Sequence, residues 1–182
     1  LHPLVVPQPA KFNIAVIAGM FTLCPLFAHK DRYPINLILL TVYTSLQGCS
    51  IGFVCAIYAS NGLGILVMCA LVAVTIIFAL LSVYVHITQV DLNYMNGTLC
   101  AALFALLFLG LVNVFMPTFI TQAMSVAFGM VVFSGFVLYD TSMMLHYMSV
   151  DDAIVASVQL YLDFVNLFLY TLQCLSLSSS DS

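Results

Sequence analysis

The chain has 182 residues, of which 64% are hydrophobic and 5% charged, and its mean hydropathy is +1.18. A soluble core of this size neither needs so much apolar surface nor stays dispersed with so little charge, so the composition specifies an integral membrane protein. Three basic residues, Lys11, Lys30 and Arg32, stand against seven aspartates and no glutamate, and the net charge of −4 excludes a basic footprint for nucleic acid.

Residues 1–12, LHPLVVPQPAKF, lack the basic start and apolar run of a signal peptide and read as a loop leading into the membrane. Hydropathy and punctuation then predict six transmembrane helices, over residues 13–28, 36–59, 63–86, 96–116, 121–146 and 152–175. The breaks are HKDRYP, the turn Ser60-Asn61-Gly62, ITQVDLN, the segment around Pro117, and SVDD, each carrying turn or capping residues. Residues 13–176 are expected to form a single all-α transmembrane bundle, and the serine-rich end 177–182 a disordered tail. Alternating spans place Lys30, Arg32, Asp91, Asp151 and Asp152 on one side, opposite Lys11, which favours the cytosol for the HKDR side. The sequon Asn96-Gly97-Thr98 then lies on the cytosolic side and is not expected to carry a glycan. Loops this short leave no room for a soluble domain, so the function is expected to reside in the bundle.

Within the second predicted span, Thr41, Ser45, Gly48, Gly52 and Ala56 make a small-residue packing seam that contains a Gly-xxx-Gly spacing. Gln47 lies off that seam, in reach of a polar interior. Six cysteines, Cys24, Cys49, Cys55, Cys69, Cys100 and Cys174, are scattered through apolar runs without a CxxC pair. They read as small helix-packing residues rather than disulfides or metal ligands. His86 and His146 fall at helix ends and read as solvated interfacial residues.

The last two spans break the apolar pattern with Asp140 and Asp163. A carboxylate in hydrocarbon costs roughly 2.5–3.5 kcal/mol on insertion scales, so such a residue points first to ion or proton handling. The two aspartates are equidistant in sequence from a turn near Asp151 and Asp152. At 1.5 Å per residue each lies up to ~17 Å from that turn, about half the hydrocarbon thickness, so both are expected at one level near mid-membrane, facing each other. On the last span Gln159, Asp163, Asn166, Tyr170 and Gln173 follow at steps of 4, 3, 4 and 3, one polar helix face. Such a face belongs to the bundle interior or a watered cavity, either as an ion path or as a hydrogen-bonded seam between helices. Two carboxylates in contact in low dielectric do not both ionise readily, so the pair is expected to hold one proton near neutral pH and to titrate as a unit. Ca²⁺, with its preference for hard oxygen ligands, favours the doubly ionised form, so proton and calcium compete for one site.

The same residues carry a family resemblance. HKDRYPINLILLTVYTSLQG, TQVDLNYMNGTLCAALFALLFL and FSGFVLYDTSMMLHYMSVDDAIVASVQLYLDFVNLFLYTLQCL resemble the Bax inhibitor-1 family of transmembrane proteins, most closely its lifeguard subfamily, over roughly residues 13–176. The elements YDT and LYLDFVNLFLY are the specific ones. The resemblance implies a seven-helix bundle of Golgi or endoplasmic-reticulum membranes that leaks Ca²⁺ and restrains apoptosis. It also implies a pH-sensing, gating aspartyl pair at Asp140 and Asp163, which would also be the Ca²⁺ contacts. Expected partners are Ca²⁺ as the transported ion, protons, the lipid bilayer and apoptosis-regulating membrane proteins, with no cofactor. Six spans against seven leave out the family's first helix, which would normally precede the segment near Leu1, so either the chain is a truncated form or a different topology closes the bundle. Relatives often carry an acidic residue where Gln47 stands, and its loss removes one candidate cation ligand.

Two other classes compete. Intramembrane aspartyl proteases also use two aspartates on adjacent helices, and Tyr139-Asp140 fits their Tyr-Asp half, but the residues before Asp163 are Gln159-Leu160-Tyr161-Leu162 rather than Gly-x-Gly. The reading is therefore not an enzyme. A non-conducting scaffold that binds apoptosis regulators through its membrane helices is the second alternative.

Overall fold

Five helices, each long and apolar enough to cross a membrane, dominate the computed structural model, which describes Ala28, residues 34–149 and residues 152–180. They are α1 (Ile35–Ser60), α2 (Gly64–Thr88), α3 (Asn96–Phe115), α4 (Phe119–His146) and α5 (Ala153–Ser180), with a 3₁₀ turn, Asn93–Met95, leading into α3. The predicted span 13–28 falls outside the described residues but for Ala28, so the described helices number five where the sequence predicts six.

Local chemistry explains the boundaries. α1 ends where Gly62 takes a positive φ of 78°. There the Gly62 N–H donates to Ala59 O and the Leu63 N–H to Tyr58 O, the paired bonds of a Schellman stop that a side chain at Gly62 would strain. α4 opens on a capping box: Thr118 Oγ1 accepts from the Thr121 N–H at 3.2 Å and Thr121 Oγ1 accepts from the Thr118 N–H at 3.1 Å. Before α5, Asp152 Oδ2 accepts from the Ser149 N–H and hydroxyl, closing a tight turn. α5 does not stop at 175. It runs on through Ser180, so residues 177–180 are helical where the sequence predicts a disordered tail. Serine can stay in such a helix by bonding back to its own backbone, as Ser179 Oγ does to Ser176 O.

Where the sequence predicts one bundle over 13–176, the chain parts into two compact units at Val67, within α2. In the first unit α1 buries Tyr43, Asn36 and Ser50, and the hydroxyls of Thr41, Thr44, Ser45 and Ser50 bond back to carbonyls one turn earlier. Nothing among the described residues lies within 4 Å of a Cβ placed at Gly48 or Gly52, so the predicted small-residue seam shows no packed neighbour there. In the second unit the α4–α5 pair makes the most extensive helix contact, with α3 next against α4. The buried residues Val126, Val132 and Val137 of α4 and Val158, Leu167 and Leu172 of α5 form this core. α3 joins it through the Leu92–Leu99–Tyr139 cluster and comes in close at Gly135, where a Cβ would stand 3.0 Å from Leu99 Cδ2. From α2, Phe78 meets Phe164 of α5 edge-on at 5.6 Å. The outward faces carry large apolar side chains such as Ile65, Leu80, Phe104, Phe108 and Val131, a surface suited to lipid. Five of the cysteines are free, and Cys49, Cys69, Cys100 and Cys174 are exposed rather than packed between helices; Cys24 lies outside the described residues.

Candidate functional site

The α4–α5 hairpin brings its two aspartates together. Asp140 and Asp163 are each 5% exposed, and their side chains lie within hydrogen-bond reach of each other. Two carboxylate oxygens at that separation are compatible only when a proton or a cation stands between them, since both groups are acceptors once ionised. The hairpin is not symmetric about the pair. Asp140 lies six residues before the end of α4 at His146, and Asp163 ten residues after the start of α5 at Ala153. At 1.5 Å per residue those depths are about 9 Å and about 15 Å. The connection explains the inequality. It takes its residues mainly from the α4 side, where Tyr147 and Met148 both donate to Met143 O and end that helix early. The pair therefore sits toward the loop end of a 28-residue α4 rather than at its middle.

The carboxylates open onto a cavity of about 770 Å³, walled by α3, α4 and α5. Its polar lining is Asn96, Tyr139, Asp140, Gln159, Asp163, Asn166 and Tyr170, and its apolar lining includes Leu103, Leu106, Leu107, Phe133 and Phe136. The stripe on α5 thus contributes four of its five residues. Asn166 is anchored, its Nδ2 donating to Leu162 O at 2.8 Å. Tyr170 stacks on Phe133 with ring centroids 5.7 Å apart and 25° between planes. It also lies flat against Gly129, where a Cβ would come within 2.6 Å of its ring. The Oε1 of Gln159 and the Oδ2 of Asp163, one helical turn apart, are buried and accept no hydrogen bond.

Gln173 is a correction. It is exposed and does not line the cavity. At 100° per residue it is rotated about 80° from Asp163, so the stripe drifts off the cavity by its last member. Gln47 belongs to the first unit, where its Nε2 donates to the Tyr43 hydroxyl one turn earlier, at 3.3 Å.

A second polar assembly, which sequence reasoning missed, ties the α2–α3 loop to the end of α4. The fully buried Ser142 accepts from the Leu92 N–H at 3.1 Å and donates to Val90 O at 2.8 Å. The Tyr147 hydroxyl donates to Asp91 Oδ2 at 2.5 Å, and Asp91 Oδ1 accepts from the Asn93 N–H. The Tyr147 bond, followed by that of Asn93, holds the Asp91 carboxyl below its usual range, and the same bond pushes the Tyr147 phenol up. His146 is exposed, with Nδ1 2.9 Å from Ser142 O, and His86 is exposed at the end of α2. Among the described residues no three His, Cys, Asp or Glu side chains cluster as a metal site, so any cation here would rely on the aspartate pair together with neutral oxygens.

The sequence has relatives among known proteins. Residues 3–180 match a family described as inhibitor of apoptosis-promoting Bax1. The chain is 32% identical over 170 residues to a Golgi anti-apoptotic protein of vaccinia virus (strain Lister), covering 91% of this chain and 70% of the viral one. It is 30% identical over 170 residues to Protein LIFEGUARD 3 of Arabidopsis thaliana, covering 91% and 67%. It is 32% identical over 180 residues to Bax inhibitor 1 of Schizosaccharomyces pombe, covering 97% and 63%.

Proposed function

The chain belongs to the Bax inhibitor-1 family of membrane proteins, which includes the lifeguard proteins, and from that premise we propose that it is a proton-sensitive Ca²⁺ leak pathway, or a regulator of one, that restrains apoptosis from an intracellular membrane. The observation that carries the reading is a pair of buried carboxylates, one from each arm of a helical hairpin, in mutual reach beside a cavity with unpartnered oxygens. Protonated, such a pair bridges itself and offers a cation little. Ionised, it needs a cation between its members, and Ca²⁺ suits hard oxygen donors. Proton and Ca²⁺ are thus alternative occupants of one place, and the pair's occupancy sets whether α4 and α5 hold together there. The names of the viral, plant and yeast relatives favour an anti-apoptotic role, and the viral one a Golgi membrane.

The reading is tested in cells by measuring the resting Ca²⁺ content of the store together with survival under an apoptotic stimulus. Wild type is expected to lower store content and raise survival, with Asp140→Asn and Asp163→Asn each losing both effects. Protection with an unchanged store would turn the reading toward a non-conducting scaffold. Cleavage of a transmembrane peptide that disappears in both variants would turn it toward a protease.

A further inference from the structure

We propose that Gln159 is a third oxygen ligand of the cation held at Asp140 and Asp163, so that the site is two carboxylates and one neutral amide oxygen on two helices. The proposal rests on the cation reading given above. Its starting point is two buried acceptors: Gln159 Oε1 has no donor, Asp163 Oδ2 has none apart from a proton shared with the Asp140 carboxyl, and both residues line the same cavity as Asp140. A buried acceptor without a partner costs about 1–3 kcal/mol, and two of them one turn apart point to something shared that satisfies both. The spacing suits one ion. Side chains at i and i+4 have Cβ atoms about 5–6 Å apart. Two oxygens on opposite sides of one Ca²⁺, each at about 2.3–2.6 Å, stand about 5 Å apart.

Other candidates fall away on the same geometry. Asn166 lines the cavity and its Nδ2 donates to Leu162 O, but its Oδ1 is not among the buried acceptors left without a donor. The hydroxyls of Ser82, Thr141 and Thr171 are also buried without partners, but none of them lines the cavity. Among the described residues, Gln159 Oε1 is the buried neutral acceptor without a donor that belongs to the cavity lining beside the pair. A neutral oxygen there adds coordination without adding charge, leaving protonation to the two carboxylates. The same amide would also accept from a trapped water, so the experiment must read the cation itself.

The test is direct binding of Ca²⁺, and of Tb³⁺ as a luminescent stand-in, to the purified chain in detergent. Gln159→Leu is expected to weaken binding about tenfold or more, the scale on which lost partners act at metal sites. Gln159→Glu is expected to tighten it by adding a charged ligand, and Gln173→Leu, on the exposed side, to leave it unchanged. Asp140→Asn and Asp163→Asn are expected to lose it. Wild-type affinity in Gln159→Leu, with loss in both aspartate variants, overturns the role of Gln159 and leaves the cation site standing. No binding by the wild type overturns the cation reading itself. Should Gln159→Leu fail to fold, the Gln159→Glu arm decides, and affinity unmoved or weakened there overturns the proposal.

Discussion

Tyr170 rests flat on the backbone of α4 at Gly129, so closely that a Cβ at residue 129 would stand 2.6 Å from its Cε1 and 2.7 Å from its Cδ1. The absence of a side chain at one position of α4 thus decides where an aromatic wall of the cavity can lie on α5. Glycine is otherwise a poor choice in a helix interior.

Gly129→Ala is therefore expected to destabilise the chain, although alanine gains about 1 kcal/mol of helix propensity over glycine. Overpacking costs about 1–3 kcal/mol, and contact with a ring that lies against Gly129 and stacks on Phe133, both on α4, cannot be relieved by a small rotation. Thermal unfolding in detergent should show a lower midpoint for Gly129→Ala and recovery when Tyr170→Ala is added. Gly48→Ala and Gly52→Ala meet nothing within 4 Å and should be neutral or slightly stabilising. Equal behaviour of all three glycine variants would contradict the close approach.

Ser142→Ala removes one hydroxyl that serves both Leu92 N–H and Val90 O from a fully buried position. Leaving a buried donor and acceptor unpaired should cost about 1–3 kcal/mol. Exchange of the Leu92 amide is the sharper readout: it should speed up in this variant, while amides in the middle of α2 stay as slow as before.

The bond between Asp91 and Tyr147 should have a wide pH window. Asp91 is depressed below its ordinary 3.8 by Tyr147 and then Asn93, so its contribution is complete above that value and is lost as pH falls through the lowered one. Tyr147 is raised above its ordinary 10.0, chiefly by Asp91, so its contribution is complete below 10.0 and is lost as pH rises through the raised value. Protection of the Asn93 amide, corrected for intrinsic exchange, should be flat across the neutral range and fall at strong acid. Tyr147→Phe should lower that protection at neutral pH. A step in protection near neutrality would mean that the latch, and not only the aspartate pair, responds there.

Asn113 gives a contrasting case. Its Nδ2 donates to Ser125 Oγ at 2.5 Å and to Thr121 O at 3.3 Å, joining α3 to α4, but its buried Oδ1 has no partner. Hydrogen bonds between membrane helices average about 0.6 kcal/mol, so Asn113→Leu gives up little and also removes an orphaned acceptor. Its unfolding midpoint should stay close to wild type, well above that of Ser142→Ala; a large drop would show that this bond holds α3 in place.

How far the sequence carries depends on whether a feature is local. The helix ends at Ser60, Thr88, Phe115 and His146 lie within two residues of their predicted places, because helix stops are local, as where Gly62 takes a positive φ after Ser60. The aspartates stood out because a charge in an apolar helix breaks the rule of its surroundings. Their unequal distances from the helix ends did not, since the sequence spacing is symmetric and only the stop of α4 at His146, with Tyr147 and Met148 both on Met143 O, removes that symmetry. The polar stripe was legible up to Tyr170 and failed at Gln173, where helical drift had accumulated. Nothing in the sequence pairs Ser142 with Leu92, fifty residues away, or Tyr147 with Asp91. Gly129 could have been singled out as a small residue in a long apolar helix, but its partner is a tertiary fact.

The central claim, that proton and Ca²⁺ compete at Asp140 and Asp163, is tested most directly by Ca²⁺ flux into liposomes holding the purified chain, read across roughly pH 6–8. Wild type should carry a flux that changes with pH over that range. Asp140→Asn and Asp163→Asn should each abolish that dependence, with Tyr147→Phe keeping it. A wild-type flux that is absent, or that responds to pH identically in wild type and in both asparagine variants, would contradict the claim.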